Sequence, residues 1–148
     1  MRVIIVYDSL HGNTQKIAEA MGAAIGADAA VHRVGSLDNS DMLSADIVVV
    51  GSPTHGGRPT PAVQEMLSRL TGLKGKRAAA FDTRLGGRMV KLFGYAAPRA
   101  HDLLKEKGAA MVAPPEGFVV MKTVGPLRDG EIERAAAWAK ALVSAAGL

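Results

Sequence analysis

The sequence contains no cysteine in its 148 residues. Disulfide bonds, thiolate nucleophiles, Cys-x-x-Cys redox motifs and cysteine-ligated iron–sulfur clusters are therefore excluded. Aromatic residues are also scarce, at 1 Trp, 2 Tyr and 3 Phe. Because stacking sites for bases or flat cofactors are usually built from such rings, we expect few of them here.

Long hydrophobic runs and an acidic excess are also missing. The first apolar run, Val3–Val6, is too short for a signal peptide or a membrane span, so we expect a cytoplasmic protein with no membrane partner. Lys and Arg number 18 against 14 Asp and Glu, which gives a net charge of +4. The basic residues are scattered and no aromatics are interleaved with them, which predicts no nucleic-acid partner.

What the chain does have is an alternation of strand-like and helix-like segments. Strands are predicted at Val3–Val6, Ala29–Val34, Asp46–Gly51, Ala78–Phe81 and Ala109–Ala113, the last of which resumes at Gly117–Val120 after two prolines. Helices are predicted from Asn13 to Ile25, from Thr60-Pro61 onward, from Pro98 to Lys107, and after Asp129 as a capping residue with Ile132 on the buried face. This order predicts one α/β domain over residues 1–148, a doubly wound five-stranded parallel sheet with helices on both faces.

In such a sheet a ligand binds beyond the carboxyl ends of the strands, where the strand order reverses. The first loop there contains Ser9, Leu10, His11, Gly12, Asn13 and Thr14, and it joins a buried strand to a helix start. Free amide groups and the helix dipole favour a phosphate at such a position. The loop lacks the lysine of an ATP-binding P-loop and the glycine triplet of a dinucleotide fingerprint. An N-capped turn that binds nothing is the alternative.

The segment Ile5-Val6-Tyr7-Asp8-Ser9-Leu10-His11-Gly12-Asn13-Thr14-Gln15-Lys16-Ile17-Ala18 resembles the flavodoxin signature. Met21 departs slightly from it. The resemblance continues through Gly51–Gly57 and covers essentially the whole chain, and the absence of a long insertion in the fifth strand resembles the short-chain members. It implies the strand order 2-1-3-4-5, with FMN as the cofactor and its phosphate on the first loop.

Two further loops are implied by the resemblance to contact the flavin. Pro53, Thr54, His55, Gly56, Gly57 and Arg58 would cover one face of the ring, while Asp82, Thr83, Arg84, Leu85 and Gly86 would flank its pyrimidine end. Flavodoxins commonly sandwich the ring between a Trp and a Tyr in these loops, and this sequence has neither. Tyr95 either folds back over the site or packs within its own loop, Trp138 is expected to be a packing residue, and Tyr7 to lie beneath the phosphate loop.

The charges of these two loops differ from those of an acidic flavodoxin. His55, Arg58, Arg84 and Arg88 stand against the single carboxylate of Asp82, which is expected to pair with an arginine. Of these, Arg88 is expected to be solvated. Because a cation near the flavin stabilises its reduced anionic form, we expect a reduction potential above that of a low-potential flavodoxin.

These residues leave several functions open. The first is an electron carrier between redox partner proteins, and the second is an FMN-dependent reductase that takes hydride from NAD(P)H. A signalling receiver is disfavoured, because the third strand ends Gly51-Ser52-Pro53-Thr54 without an acid. A binding module that has lost the flavin is the remaining alternative. His32 and His101 show no metal-ligand spacing, so no metal site is predicted.

Overall fold

A computed structural model describes residues 1–87 and 94–147, and Arg88 lies outside this described part. Its strands are β1 Val3–Tyr7, β2 Ala29–Arg33, β3 Ile47–Pro53, β4 Arg77–Leu85, β5 Ala110–Met111 and β6 Glu116–Val120. Its helices are α1 Asn13–Ile25, α2 Asn39–Leu43, α3 Pro61–Arg69, α4 Ala96–Glu106 and α5 Glu131–Ala146. None of these helices combines the length and apolar character needed to cross a membrane.

The strands pair in the order β2-β1-β3-β4-β5, and all pairs are parallel. This confirms the predicted doubly wound order. Two segments share the position of the fifth strand beside β4. The first, β5, pairs with Arg77 and Ala78 of β4, and the second, β6, pairs with Phe81–Leu85 of β4. Pro114 and Pro115 lie between the two segments, and proline cannot donate to a strand ladder.

Alternate residues of the central strands enter two separate cores. On β1, Val3, Ile5 and Tyr7 pack with α1 and α5, whereas Ile4 and Val6 pack with α2, α3 and α4. Burial on both faces explains why this strand is apolar throughout rather than alternating. The two helical layers leave the carboxyl edge of the sheet open to the loops that follow β1, β3, β4 and β6.

The prediction that β4 ends at Phe81 is wrong. The strand continues through Asp82, Thr83, Arg84 and Leu85, so these are strand residues and not loop residues. The cause is β6, which pairs with Phe81–Leu85 and extends the ladder by hydrogen bonding at long range in the sequence. Alternation along the strand then sends Asp82 and Arg84 to one face of the sheet and Thr83 to the other.

Two details of the helices also differ from the prediction. Helix α4 begins at Ala96, two residues before the predicted Pro98. Helix α5 is preceded by Gly130 with φ 87°, so Asp129 does not cap it. Its predicted buried residue Ile132 is 40% exposed, and Glu131 is buried beside it.

Glu131 is buried because cations and an amide surround its carboxylate. Its oxygens accept hydrogen bonds from the Val119 N–H at 2.7 Å, from Arg134 at 2.7 and 3.0 Å, and from Arg128 at 3.2 Å. Burial opposes ionisation, but the hydrogen bonds from Arg134, Val119 and Arg128 outweigh it and lower the pKa of Glu131 to about 2. The carboxylate thereby fastens α5 to β6 at the carboxyl edge.

We expect Glu131→Gln to lower the free energy of unfolding of the apoprotein by on the order of 3 kcal/mol at pH 7. A carboxyl whose pKa is depressed on folding stabilises the protein above its unfolded pKa, and that stabilisation is lost as the pH falls through the folded value. The deficit of the variant should therefore shrink between about pH 4.5 and pH 2.

Urea unfolding at several pH values measures this difference, with the exposed Glu133→Gln on the same helix as the control. A deficit that stays constant with pH would contradict the assignment.

Candidate functional site

A cavity of about 250 Å³ opens at the carboxyl ends of β1, β3, β4 and β6. It is lined by Ser9, Leu10, His11, Asn13, Thr14, Pro53, Thr54, His55, Thr83, Arg84, Leu85, Val120 and Thr123. It therefore lies at the reversal of strand order, where the topology of the sheet places a ligand site.

The floor of the cavity is the amino-terminal end of α1, which has no side-chain cap. Gly12 occupies the cap position with φ 91°, a left-handed conformation that glycine adopts without strain. Within residues 1–87 and 94–147, the amide groups of Leu10, His11, Asn13 and Thr14 have no hydrogen-bond acceptor. Helix-start N–H groups without an acceptor among the described residues favour the binding of an anion.

Side chains fix the shape of this loop. Ser9 Oγ accepts hydrogen bonds from the Gly12 N–H at 3.0 Å and the Gln15 N–H at 3.4 Å, which closes the turn around it. Thr14 is buried, and its hydroxyl lies 2.7 Å from that of Thr83 on β4. The helix start is thus joined across the sheet to the end of β4.

The loop after β3 contains a tight turn over residues 55–58. His55 and Arg58 exchange two backbone hydrogen bonds of 2.7 and 3.1 Å, and the glycines between them have φ of 59° and 78°. Positive φ at both central residues is typical of a two-residue hairpin turn and requires glycine-like residues. Arg99 of α4 donates from Nε to the carbonyl of Gly57 at 2.9 Å.

Asp82 and Arg84 form a bidentate ion pair at the end of β4. Asp82 is fully buried and accepts from Arg84 Nε at 2.7 Å and Nη2 at 2.8 Å, and from the Ala97 N–H at 2.8 Å. Burial raises the pKa of the Asp82 carboxyl, and the hydrogen bonds from Arg84 and Ala97 oppose that rise. The expected pairing of Asp82 with an arginine is therefore present.

Arg84 is held between two neighbours. Its guanidinium carbon lies 3.6 Å from the centre of the Tyr95 ring, a stacked arrangement that arginine favours. Gly117 of β6 lies against the same guanidinium, since a Cβ at this position would clash with Arg84 Nε. Tyr95 therefore stacks on Arg84, and that face of its ring is covered by the guanidinium.

Eleven of the predicted cofactor residues line this cavity, as the lining residues above show. Gly12, Gly56, Gly57, Asp82 and Gly86 lie behind or beside those residues and do not line it. Arg58 faces a second depression of about 260 Å³, together with Pro59, Gln64, Arg99, Asp102, Leu103 and Glu106. Which of these residues contact the cofactor stays a prediction.

The sequence reasoning missed the segment after β6, which closes one side of the cavity through Val120 and Thr123. This turn packs on the start of α1, since a Cβ on Gly125 would lie 2.8 Å from the Asn13 side-chain oxygen. The Gly125-Pro126 pair is the one local signal of a turn there, and it carries no information about what the turn touches.

Among residues 1–87 and 94–147, the other aromatic side chains do not line the cavity. Trp138 forms edge-to-face contacts with Phe81 and Phe118 at 6.2 Å, in the core between α5 and the sheet. Tyr7 is buried, with the Arg33 guanidinium 5.3 Å from its ring. In the part of the chain that the structure describes, no group of three or more His, Cys, Asp or Glu residues is arranged to hold a metal.

This donor set fits the phosphate of FMN. The four free N–H groups provide directed donors, and the buried Ser9, Asn13 and Thr14 add polar side chains at the same place. The cavity above them is open to solvent at Leu10 and His55, so a flat ring has access. Among the described residues, no carboxylate lines the cavity.

Comparison with curated relatives gives partial matches to longer proteins. The chain is 31% identical over 126 residues to the coenzyme F420H(2) oxidase of Methanothermobacter marburgensis, which covers 80% of this chain and 31% of that protein. It is 33% identical over 94 residues to the flavodoxin of Aquifex aeolicus, which covers 57% of this chain and 51% of that protein. The matched region spans between 18% and 51% of the length of the curated relatives.

A comparison of structures confirms the fold, and a comparison with family models identifies the family. A flavodoxin structure from the domain Archaea superimposes with a TM-score of 0.82 at 20% identity and covers 100% of both chains. The family model described as Flavodoxin matches residues 5–138. The resemblance seen in the sequence is therefore confirmed: the chain belongs to the flavodoxin family, whose members bind FMN.

Proposed function

We propose that this chain holds FMN in the cavity at the carboxyl edge of the sheet and carries electrons between redox partner proteins. The observation that carries the proposal is the group of amides at Leu10, His11, Asn13 and Thr14, which have no acceptor among the described residues. Backbone N–H groups and the α1 dipole would bind the phosphate there without a cationic side chain. When bound, FMN supplies the redox chemistry, because it accepts and releases electrons that no side chain here can carry.

The residues around the upper cavity would hold the rest of the cofactor. The turn at residues 55–58 borders one side through His55, and the end of β4 borders the other through Thr83 and Arg84. Arg84 is 20% exposed and fixed by Asp82 and Tyr95, so it would present a stationary cation to the cavity. Asp82 counters most of that charge, yet it is buried behind the guanidinium and farther from the cavity.

A reductase that accepts hydride from NAD(P)H is the second candidate. The open mouth of the cavity favours it, since a nicotinamide must stack directly on an exposed flavin face. Matching relatives are named as an oxidase and as nitric oxide reductase flavorubredoxins, and the matched region is only part of each. We prefer the carrier, because the flavodoxin family model matches residues 5–138, whereas the oxidase and the flavorubredoxins are matched over only 31% and 18% of their own length.

Binding of FMN with its phosphate at the start of α1 predicts a specific effect of Ser9→Ala. The change removes the acceptor of the Gly12 and Gln15 amides and loosens the loop. We expect the affinity for FMN to fall by roughly tenfold, the equivalent of one hydrogen bond of about 1.4 kcal/mol, whereas that for riboflavin changes little.

Titration of the apoprotein with each flavin, followed by fluorescence quenching, measures both affinities. Ser68→Ala, on the exposed face of α3, is the matched control. Equal losses for FMN and riboflavin would exclude a phosphate role for this loop, and absence of FMN binding by the wild-type chain would exclude the proposed function.

The Asp82–Arg84 pair predicts the direction of a change in potential. Asp82→Asn removes the countercharge of Arg84, so the reduced anionic flavin is stabilised and the two-electron midpoint potential should rise by about 30 mV, or roughly 1.4 kcal/mol. Combining Asp82→Asn with Arg84→Gln removes both charges and should return the potential close to that of the wild type.

Redox titration of the FMN-loaded proteins gives these values. Asp102→Asn, an exposed residue of α4 with the same change in net charge, should leave the potential unchanged. A lower potential in the Asp82→Asn protein would contradict the placement of this pair beside the cofactor.

The carrier and the reductase differ in their response to nicotinamide nucleotides. For a carrier we expect NADH and NADPH to reduce the loaded protein more slowly than about 1 s⁻¹, the low end for ordinary enzymes, whereas dithionite reduces it completely. Anaerobic stopped-flow absorbance is the measurement. Rapid and saturable reduction by either nucleotide would favour the reductase.

A further inference from the structure

The mouth of the cofactor cavity carries exposed apolar side chains that nothing in the described structure covers. Leu10 is 52% exposed, Met121 61% and Val124 66%, and they make up three of the five large hydrophobic residues that are exposed in the described part of the chain. Leu10 lines the cavity, and Met121 and Val124 flank Thr123, which also lines it. Exposed apolar residues gathered at one place indicate an interaction surface rather than chance.

The two segments that carry these residues are fixed against each other. The turn at residues 121–125 is closed by hydrogen bonds from the Gly125 N–H to Lys122 at 2.9 Å and from the Met121 N–H to Pro126 at 2.8 Å. Gly125 then packs directly on Asn13 at the start of α1. The apolar residues therefore belong to one preformed surface.

The charged side chains beside these apolar residues are cationic. Lys122 is exposed and forms no ion pair within residues 1–87 and 94–147. Arg84, which lines the cavity, is 20% exposed. The carboxylates beneath, Asp8 and Asp82, are each paired with an arginine. We call this surface the basic rim, defined by Leu10, His11, His55, Met121, Lys122 and Val124.

We infer that the basic rim docks a redox partner protein whose contact face is acidic around an apolar centre. This inference rests on the proposed function, because a carrier must bring its partner to the open side of the cofactor cavity. The apolar residues would supply contact area, and Lys122, together with Arg84 in the cavity, would select an anionic partner and steer its approach. A second copy of this chain would bring the same cations to the interface and is repelled for that reason.

Electron transfer to two small oxidants tests the sign of the charge at the mouth. The FMN-loaded protein is reduced with dithionite and mixed in a stopped-flow instrument with ferricyanide, an anion, or with tris(phenanthroline)cobalt(III), a cation. Between 10 and 200 mM salt, we expect the rate constant for ferricyanide to fall by about threefold or more and that for the cobalt complex to rise.

A pair of charge reversals separates local charge from net charge. Lys122→Glu on the basic rim should slow the reaction with ferricyanide at low salt by about threefold or more. Lys105→Glu makes the same change in net charge near the end of α4, at the opposite edge of the sheet. Its effect on the logarithm of the rate constant should be less than half of the effect of Lys122→Glu. Equal effects of the two variants, or inverted salt dependence in the wild type, would overturn the inference.

A binding experiment gives a readout that does not depend on electron transfer. Hexaglutamate added to the ¹⁵N-labelled, FMN-loaded protein should shift the amide signals of Leu10, His55 and Lys122 more than that of Lys105. The Lys122→Glu change should weaken the binding of hexaglutamate and reduce these shifts. Stronger shifts with hexalysine, tighter binding of a thymidine hexanucleotide, or dimerisation through these residues would each overturn it. Loss of flavin absorbance after gel filtration would contradict the proposed function instead.

Discussion

The structure depends on a helix that begins without a cap. The residue at the cap position accepts a hydrogen bond from a first-turn amide in α3, through Thr60, and in α2, through Asp38. Helix α1 has Gly12 at that position, and within residues 1–87 and 94–147 the amides of Leu10, His11, Asn13 and Thr14 have no acceptor. An anion placed there would accept hydrogen bonds from these groups and interact favourably with the helix dipole.

Other parts of the fold hold this helix start where it is. The loop follows the buried strand β1, which lies near the centre of the sheet. The hydroxyl of Thr14 forms a hydrogen bond with that of Thr83 on β4. Asp8 accepts from Thr60 at 2.6 Å and pairs with Arg33, which joins the loops after β1, β2 and β3. The anion site, the turn over residues 55–58 and the end of β4 are therefore parts of one connected edge.

The charged side chain that lines the described part of this edge is an arginine, paired with a buried carboxylate. Arg84 lines the cavity and pairs with the fully buried Asp82. The pair fixes the guanidinium in position and reduces the positive potential that it produces in the cavity. Tyr95 contributes by stacking on that arginine. The sequence left open whether Tyr95 folds over the site or packs within its own loop, and in the structure its ring stacks on the Arg84 guanidinium beside the cavity.

Local signals in the sequence were enough for much of the architecture. The β-branched run Val3–Val6, the period of α1 and the Thr60-Pro61 helix start each reflect interactions within a few residues, and the structure has all three. Long-range pairing was not visible in this way. The extension of β4 to Leu85 depends on β6, more than thirty residues later, and the burial of Glu131 depends on arginines and an amide that only the fold brings together.

The same limit applies to the candidate site. The loop from Ser9 to Thr14 could be predicted because strand, loop and helix are contiguous, and a phosphate needs only that geometry. The part that Val120 and Thr123 play in lining the cavity could not be predicted in this way. It depends on the packing of Gly125 on Asn13, a contact between segments more than a hundred residues apart. The stacking of Tyr95 on Arg84 is also tertiary.

The most direct test of the central claim follows the amides of α1 by NMR. The ¹⁵N–¹H spectrum of the apoprotein is recorded before and after addition of FMN, and again with riboflavin. The account predicts large shifts of the Leu10, His11, Asn13 and Thr14 amide signals to higher proton frequency with FMN, and much smaller ones with riboflavin, because only the phosphate accepts from these groups. FMN binding that leaves these four signals in place would contradict it.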